Sequence, residues 1–510
     1  SASSDFLGEL RGCLSPAALP APPASGSAAA APAADEPPPA PREFRAAWVA
    51  TVANIDWPSR PGLSGQAMRT EAVAMLDRAR AIGLNALILQ VRPAADAIYP
   101  SALEPWSEYL SGAQGRPPWH DGEAPWDPLA FWVHEAHARG LELHVWFNPY
   151  RARHSAAKSP PAPTHVAGRA PQLVRSYGDM LWMDPGEPGA AAHTLAVVAD
   201  VLRRYEVDGV HIDDYFYPYP VAQRGADLPF PDDAPFARYV AGGGLLGRDD
   251  WRRANVDAMV QALHRTVRET RPGTRFGVSP FGLGRPDRRP PGITGFSQYD
   301  KLYADVERWL ANGWMDYLAP QLYWPRDRVG QPFEPLLDYW LAENGAGRHV
   351  FPGLFTSRIV VAAPERVLGP NAWPAREIVE QVRLTRSRAA AGGHIHFSMV
   401  ALMQDRDGIS TLLRQGPYAQ PALPPATPWL GDRPPPAPRL RNAGGRVEIL
   451  PAIGEPVARW AVWRQRSGQW QFDVQAPAAT LLDATGADRV AVAAVDRLAT
   501  LGAYGVLSLR

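Results

Sequence analysis

The chain of 510 residues contains one cysteine, Cys13. A single thiol excludes an intrachain disulfide and any zinc site built on paired cysteines. Charge surplus is also missing, because 52 Lys and Arg balance 52 Asp and Glu. A binder of polyanions carries a basic excess, so nucleic acid is not the expected partner. No uninterrupted apolar run reaches the length of about eighteen residues that a membrane-spanning helix needs. Residues 14–41 almost entirely lack large apolar side chains. Their Ala and Pro composition cannot build a core, and it reads as a semi-extended tether behind Cys13.

What is present is ordinary for a globular protein with an ample core: 46% hydrophobic and 20% charged residues. The 55 prolines cluster into segments that punctuate the chain. From Phe44 onward, short apolar runs alternate with helix-patterned stretches. The runs are 44–52, 84–93, 141–151, 207–214, 275–282, 315–325, 349–355 and 393–402. The helical patterns fall at 66–82, 128–139, 192–205, 251–270, 299–312, 333–344, 375–390 and 407–415. In the first helix, Ala72, Met75, Leu76, Ala79 and Ile82 share one face. Eight strands alternating with eight helices predict an α/β fold, a (β/α)8 TIM barrel. Domain bounds read as a tether over 1–43, the barrel over 44–420 and a Pro-rich linker over 421–437. Residues 438–510 hold short alternating strands and predict a small C-terminal β-sandwich of the fibronectin type III kind, with bracing as its expected role. The long connections follow strands, not helices, so the extra chain length gathers on the face where this fold builds active sites.

The stretch VDGVHIDDYFYPYP (207–220) is the most informative. Side chains alternate along a strand, so Val210 and Ile212 point one way while His211 and Asp213 point into the barrel. Asp214 follows where the strand ends and can turn into the cleft through its loop. Two carboxylates at a barrel mouth suit acid, base or nucleophilic work on a glycosidic bond. Their proximity should raise one pKa and leave one donor and one anion. The same alternation sends Gln90, Arg92, His144, Trp146 and Asn148 inward, puts Gln321 and Tyr323 on one side of the sixth strand, and turns His394, His396 and Ser398 inward on the eighth. Trp57, Tyr99, Trp106, Trp146, Tyr215, Tyr217 and Trp324 offer stacking faces for sugars. A polyhydroxylated substrate wants such a ring of partners. The bland role for the Asp pair is an ion pair with an arginine such as Arg92. Two rival functions stand beside the glycosidase. One is a metal-dependent amidohydrolase or deacetylase using His144, His211, His396 and Asp213. The other is a glycan-binding lipoprotein with no competent acid.

The stretches EFRAAWVATVANIDWPS (43–59), LILQVRPAADAIYPS (87–101), HVWFNPYR (144–151), DPG (184–186), VDGVHIDDYFYPYP, GVSPFG (277–282) and YLAPQLYW (317–324) together resemble the glycosyl hydrolase-like family 10 proteins over residues 44–415. The resemblance implies a (β/α)8 barrel, an exported or lipoprotein setting, and glycosidase activity on cell-wall glycan, namely peptidoglycan strands stripped of stem peptides. The Asp pair also resembles the catalytic motif of the related poly-N-acetylglucosamine hydrolase domain. By motif, Asp213 and Asp214 are the catalytic candidates. Asp56, Arg92, Asp96, Asn148, Arg151, Asp184, Gln321 and Tyr323 carry over as cleft residues. VDGVHIDDY is also similar to the D-G-x-D-x-D-x-E of chitinase-type barrels, but Tyr215 stands where their acid Glu would be. Leu10, Gly12 and Cys13 partly resemble a lipoprotein cleavage site, from which Arg11 departs. The expectation is therefore a monomeric glycoside hydrolase, periplasmic or outer-membrane-anchored through Cys13, acting on a polysaccharide without a cofactor or metal.

Overall fold

The computed structural model describes residues 36–360, 372–454 and 456–510. Cys13 and most of the expected tether lie outside the described residues. No helix among those described is long and apolar enough to cross a membrane.

Eight parallel strand positions form the barrel: β1 (Phe44–Val49), β2 (Ala86–Arg92), β3 (Glu142–Phe147), β4 (Gly209–Ile212), β5 (Arg275–Val278), β6 (Tyr317–Leu318), β7 (His349–Val350 and Gly353–Leu354) and β8 (Gly393–His396). Each strand pairs with the next in sequence from β1 to β6. Pro352 cannot donate to a ladder, and it divides β7. The first half pairs with β6 and the second with β8. Since β8 returns to β1, the ring closes and leaves no edge. The main helices are α1 (Gly65–Ile82), α2 (Pro128–Ala138), α3 (Pro188–Arg204), α4 (Arg248–Thr270), α5 (Val306–Ala311), α6 (Phe333–Glu343), α7 (Ala375–Arg386) and α8 (Ile409–Gln415). In α1, Ser64 caps the Ala67 amide and Gly83 ends the helix in the left-handed region. Its five expected core residues are all buried.

Strand polarity follows the pleat. Leu87, Leu89, Val91, Leu143, Val145, Phe147, Val210 and Ile212 join the cluster between sheet and helices. A second cluster fills the inside of the barrel, with Phe44, Ala46, Trp48, Ile88, Trp146, Tyr317, Phe351 and Ile395. Two expectations about facing are corrected here. Ile395 belongs to the interior, so His394 and His396 face outward, where both meet the Tyr418 hydroxyl behind α8. The tail of the eighth expected strand is instead a short helix, Met399–Met403. Arg92 also leaves the interior. A register shift between Gln90 and Arg92 turns it toward Glu104 and the α3 residue Thr194. One extra residue in a strand reverses which face the next side chain takes.

Beyond the barrel, two antiparallel sheets form the C-terminal sandwich. Strands β9 (Arg439–Asn442), β10 (Arg446–Leu450) and β13 (Leu481–Asp483) make one sheet. The other has the order β12 (Gln469–Gln475), β11 (Arg459–Arg466), β14 (Arg489–Val495), β15 (Leu501–Ser508). Val447, Ile449, Trp460, Val462, Val490 and Val492 are buried in their shared core.

Candidate active site

The interior of a packed barrel of this kind is usually branched aliphatic. Here it is built of rings that need space and partners. A Cβ on Gly277 would lie 2.0 Å from the Tyr317 ring, and one on Gly209 would lie 2.2 Å from His144 Nδ1. Glycine at both positions lets the rings cross the barrel. Their hydrogen bonds form a directed chain. The Trp48 indole can only donate, and it donates to His211 Nε2 at 3.0 Å. His211 Nδ1–H therefore donates to the Tyr317 oxygen at 3.0 Å. The Tyr317 hydroxyl donates to His144 Nδ1 at 3.1 Å. His144 Nε2–H then donates to Glu142 at 2.9 Å. Burial drives the His211 pKa well below its ordinary value, so the ring is neutral.

Above this floor stand the two carboxylates, each only 3% exposed. Asp213 Oδ2 accepts from Trp146 Nε1 at 2.9 Å and from Asn148 Nδ2 at 2.5 Å. Its Oδ1 receives the Tyr215 amide, at 3.3 Å. Asp214 is satisfied on both oxygens. Gln321 Nε2 donates to Oδ1 at 3.1 Å, and the Tyr219 hydroxyl donates to Oδ2. Burial, followed by the neighbouring Asp214 charge, pushes Asp213 up to about 7. Burial also raises Asp214, against the Tyr219 and Gln321 hydrogen bonds that favour its anion. The pair is therefore arranged asymmetrically. Asp214 has side-chain donors on both oxygens, whereas both side-chain donors to Asp213 fall on Oδ2. Arg151 lies over the Tyr215 ring at 4.8 Å, pinned by the Pro93 carbonyl at 3.1 Å, and its charge lowers both carboxyls.

Several expected site residues converge on this mouth: Trp146, Asn148, Arg151, His211, Tyr215 and Gln321 touch the pair or one another. Gln90 supports them at one remove, donating to Asn148 Oδ1 at 2.6 Å while its own oxygen takes the Thr51 and Val52 amides. Tyr323 packs at the rim against the tilted rings of Phe355 and Phe397. Trp324 is buried against Phe281.

Other expected residues sit elsewhere. Arg92 is spent on Glu104, at 2.6 and 2.9 Å, so it does not pair with the Asp dyad. Asp56 binds the Ala50 amide, the Ser398 hydroxyl and the Val400 amide, tying the end of β1 to the end of β8. Burial raises it to about 6. Asp96 holds the Ala94 amide and Gln114, and burial raises it to about 7. Asp184 faces Arg175 at 3.1 Å and takes the Gly186 amide. Three of the expected stacking rings have no free face: Trp57 is buried on Trp132, Tyr99 on Tyr205, and Tyr217 between Phe230 and Tyr303. His396 binds Thr356 and Tyr418 in the outer layer. The three histidines weighed as metal ligands therefore do not converge, and no metal-holding group of His, Cys, Asp or Glu occurs among the described residues. Sequence reasoning missed Tyr219 and Trp48. Tyr219 lies on an irregular loop where no periodicity tells which of four aromatics turns back. Trp48 was legible as sharing the face of Phe44 and Ala46 on β1.

The glycosyl hydrolase-like 10 family model matches residues 43–362. The chain is 38% identical over 405 residues to Glycosyl hydrolase YngK of Bacillus subtilis (strain 168), covering 78% of this chain and 76% of that protein. It is 34% identical over 318 residues to Glycosyl hydrolase DigH of Escherichia coli (strain K12), covering 58% of this chain and 69% of that protein. Among solved structures, the PgaB (BpsB) glycoside hydrolase domain from Bordetella bronchiseptica aligns at 11% identity with a TM-score of 0.46, over 73% of this chain and 98% of that one.

Proposed function

The chain belongs to the glycosyl hydrolase-like 10 family, and from that premise we propose that it hydrolyses bacterial cell-wall glycan containing N-acetylhexosamine, namely peptidoglycan strands stripped of their stem peptides. Such a substrate puts the enzyme outside the cytoplasm. The observation that carries the reading is the split Asp pair at the mouth of the closed barrel. Oδ1 of Asp213 holds the one proton of the pair near neutral pH. It passes that proton to the glycosidic oxygen as the bond to the anomeric carbon breaks. Asp214 stays ionised and accepts the N–H of the substrate's 2-acetamido group. The acetamido oxygen then attacks the anomeric carbon, and in the second step water opens the resulting ring while the Asp213 carboxylate takes the proton that water loses. Arg151 favours the anionic state of the pair, and Tyr215 and Tyr323 are half-buried rings at the rim against which sugars can lie.

The test is digestion of amidase-treated glycan strands by wild type, Asp213→Asn and Asp214→Asn, with products sized by mass spectrometry. Each variant should lose about 100- to 10,000-fold in turnover. Wild-type turnover in both variants would sink the assignment. Tight binding by the wild type with no product from any glycan would make the protein a binder instead.

A further inference from the structure

A groove of about 270 Å³ opens between the loops that follow β2 and β3. Its walls include Ser101, Glu104, Trp106, Thr164 and Arg169. A short run of contacts through the barrel wall links the groove to the Asp pair. Asn148 donates to Asp213, Arg92 donates to the Asn148 carbonyl at 3.1 Å, and Arg92 pairs with Glu104 in the groove wall. Glu104 has no charge left for a ligand. Burial alone would raise it, but Arg92 and His193 outweigh that and hold it at about 2, with the carboxylate bonded to those two residues at 2.6–3.0 Å.

The remaining groups are donors. Arg169 is exposed, and the one hydrogen bond of its guanidinium among the described residues is a long one, 3.4 Å to the Ala102 carbonyl. Ser101 Oγ already accepts from the Leu103 and Glu104 amides, so its free capacity is its proton. The Thr164 hydroxyl and the Trp106 indole N–H have no acceptor among the described residues. Trp106 is half-buried and is held edge-on by Trp119 at 5.8 Å. A ring face, three neutral donors and a guanidinium suit a sugar that carries an anion.

We propose that this groove is a distal subsite for a carboxylate-bearing hexosamine of the same glycan strand, with the carboxylate on Arg169 and the sugar ring against Trp106. The proposal rests on the glycosidase reading above and sharpens it. Removing a stem peptide turns the lactyl amide of the muramyl sugar into a free carboxylate, which is the group a guanidinium reads. A peptide-bearing strand offers an amide there and a bulky branch.

The test compares denuded strands with the same strands after their carboxyls are converted to primary amides. Wild type, Arg169→Gln and Trp106→Ala are assayed for turnover. Binding is measured separately by calorimetry in the inactive Asp213→Asn/Asp214→Asn background, with and without Arg169→Gln. Arg169→Gln should raise KM for the charged strands about tenfold or more with kcat unchanged, and should leave amidated strands unaffected. Trp106→Ala should weaken both substrates. Equal affinity for charged and amidated strands, or no change on Arg169→Gln, overturns the subsite while leaving the glycosidase reading intact. Arg169-dependent binding of charged strands that the wild type does not cut supports the subsite and removes the glycosidase reading.

Discussion

Asp213 is placed where its charge is least welcome. It is buried, it neighbours a second carboxylate, and both good donors fall on one of its oxygens. Its pKa rises from 3.8 to about 7. A carboxyl whose folded value exceeds its unfolded value contributes stability below the unfolded value and loses it as pH rises through the folded one. The active site is therefore held at a cost in stability at neutral and alkaline pH. Replacing Asp213 with Asn removes the titration. Its amide oxygen can keep the Trp146 and Asn148 donors, and its NH2 takes the place of the oxygen that makes the long Tyr215 contact. Relative to wild type, Asp213→Asn should gain stability between about pH 4 and about pH 7, by an amount on the order of 4 kcal/mol across that window. Urea denaturation of both proteins at a series of pH values measures it. A constant difference across the window would mean that Asp213 does not carry the proton.

At the scale of single strands, the legible and the illegible parts separate by cause. Strand existence was readable because apolar runs of period two are bounded by glycines and prolines. The facing of β2, β3 and β4 was readable because aliphatic residues alternate with polar ones. The facing of β8 was not, because Gly393–His396 alternates His with Gly and Ile, and both faces of this strand are buried. The sequence does not state that Tyr418, from another element, would satisfy the two histidines outside. Arg92 failed for a different reason, since a bulge leaves no mark in a hydrophobic pattern. The stacking rings failed because an aromatic residue type does not tell whether its face is covered. Trp57 and Tyr217 are core, whereas Tyr215 is half-buried at the rim. The glycines carry information that alternation alone does not use. Gly277 is needed because the Tyr317 ring crosses the space a Cβ would take. Tyr317 is fixed by His211, His144 and its packing against Phe44 and Phe351, so it cannot swing aside. Gly277→Ala should therefore cost about 3 kcal/mol, the upper end for overpacking a tight core. It should also disturb His211 and the Asp pair above it. Chemical denaturation gives the stability, and an unchanged midpoint would mean that the barrel interior is looser than the ring contacts imply.

At the scale of the molecule, the C-terminal sandwich and the barrel base are joined by polar contacts that neither could satisfy alone. Arg459 on β11 donates to the Gly140 carbonyl before β3 at 3.0 Å, and Arg80 of α1 donates to the Val474 carbonyl at 3.2 Å. Arg42, just ahead of β1, donates to the Ala499 carbonyl at 2.6 Å. The Pro-rich segment between the two units is part of the same seam. Leu423 exchanges backbone bonds with residues 41 and 43, at 2.9 Å each, and its side chain is buried with Trp463 and Ala493 of the sandwich. Trp429 donates to Asp316 at 2.8 Å. A flexible linker would leave the two units to melt separately, whereas a seam of this kind couples them. Beneath it, Glu142 lies at the foot of the interior chain, where Arg275 and His144 outweigh the effect of burial and hold its carboxyl below the ordinary value. Arg275 spans Glu142 at 2.8 Å and the Thr427 hydroxyl at 3.3 Å, so the seam and the ring chain share one ion pair. Removing residues 438–510 takes away the sandwich's side of this seam and exposes the apolar surface around Leu423 that it covers. The full chain should therefore unfold in one calorimetric transition. A chain ending at residue 437 should melt at a lower temperature and lose turnover in step with its fold. Two separate transitions in the full chain, or a truncated barrel that melts where the intact protein does, would make the sandwich an appendage instead of a brace.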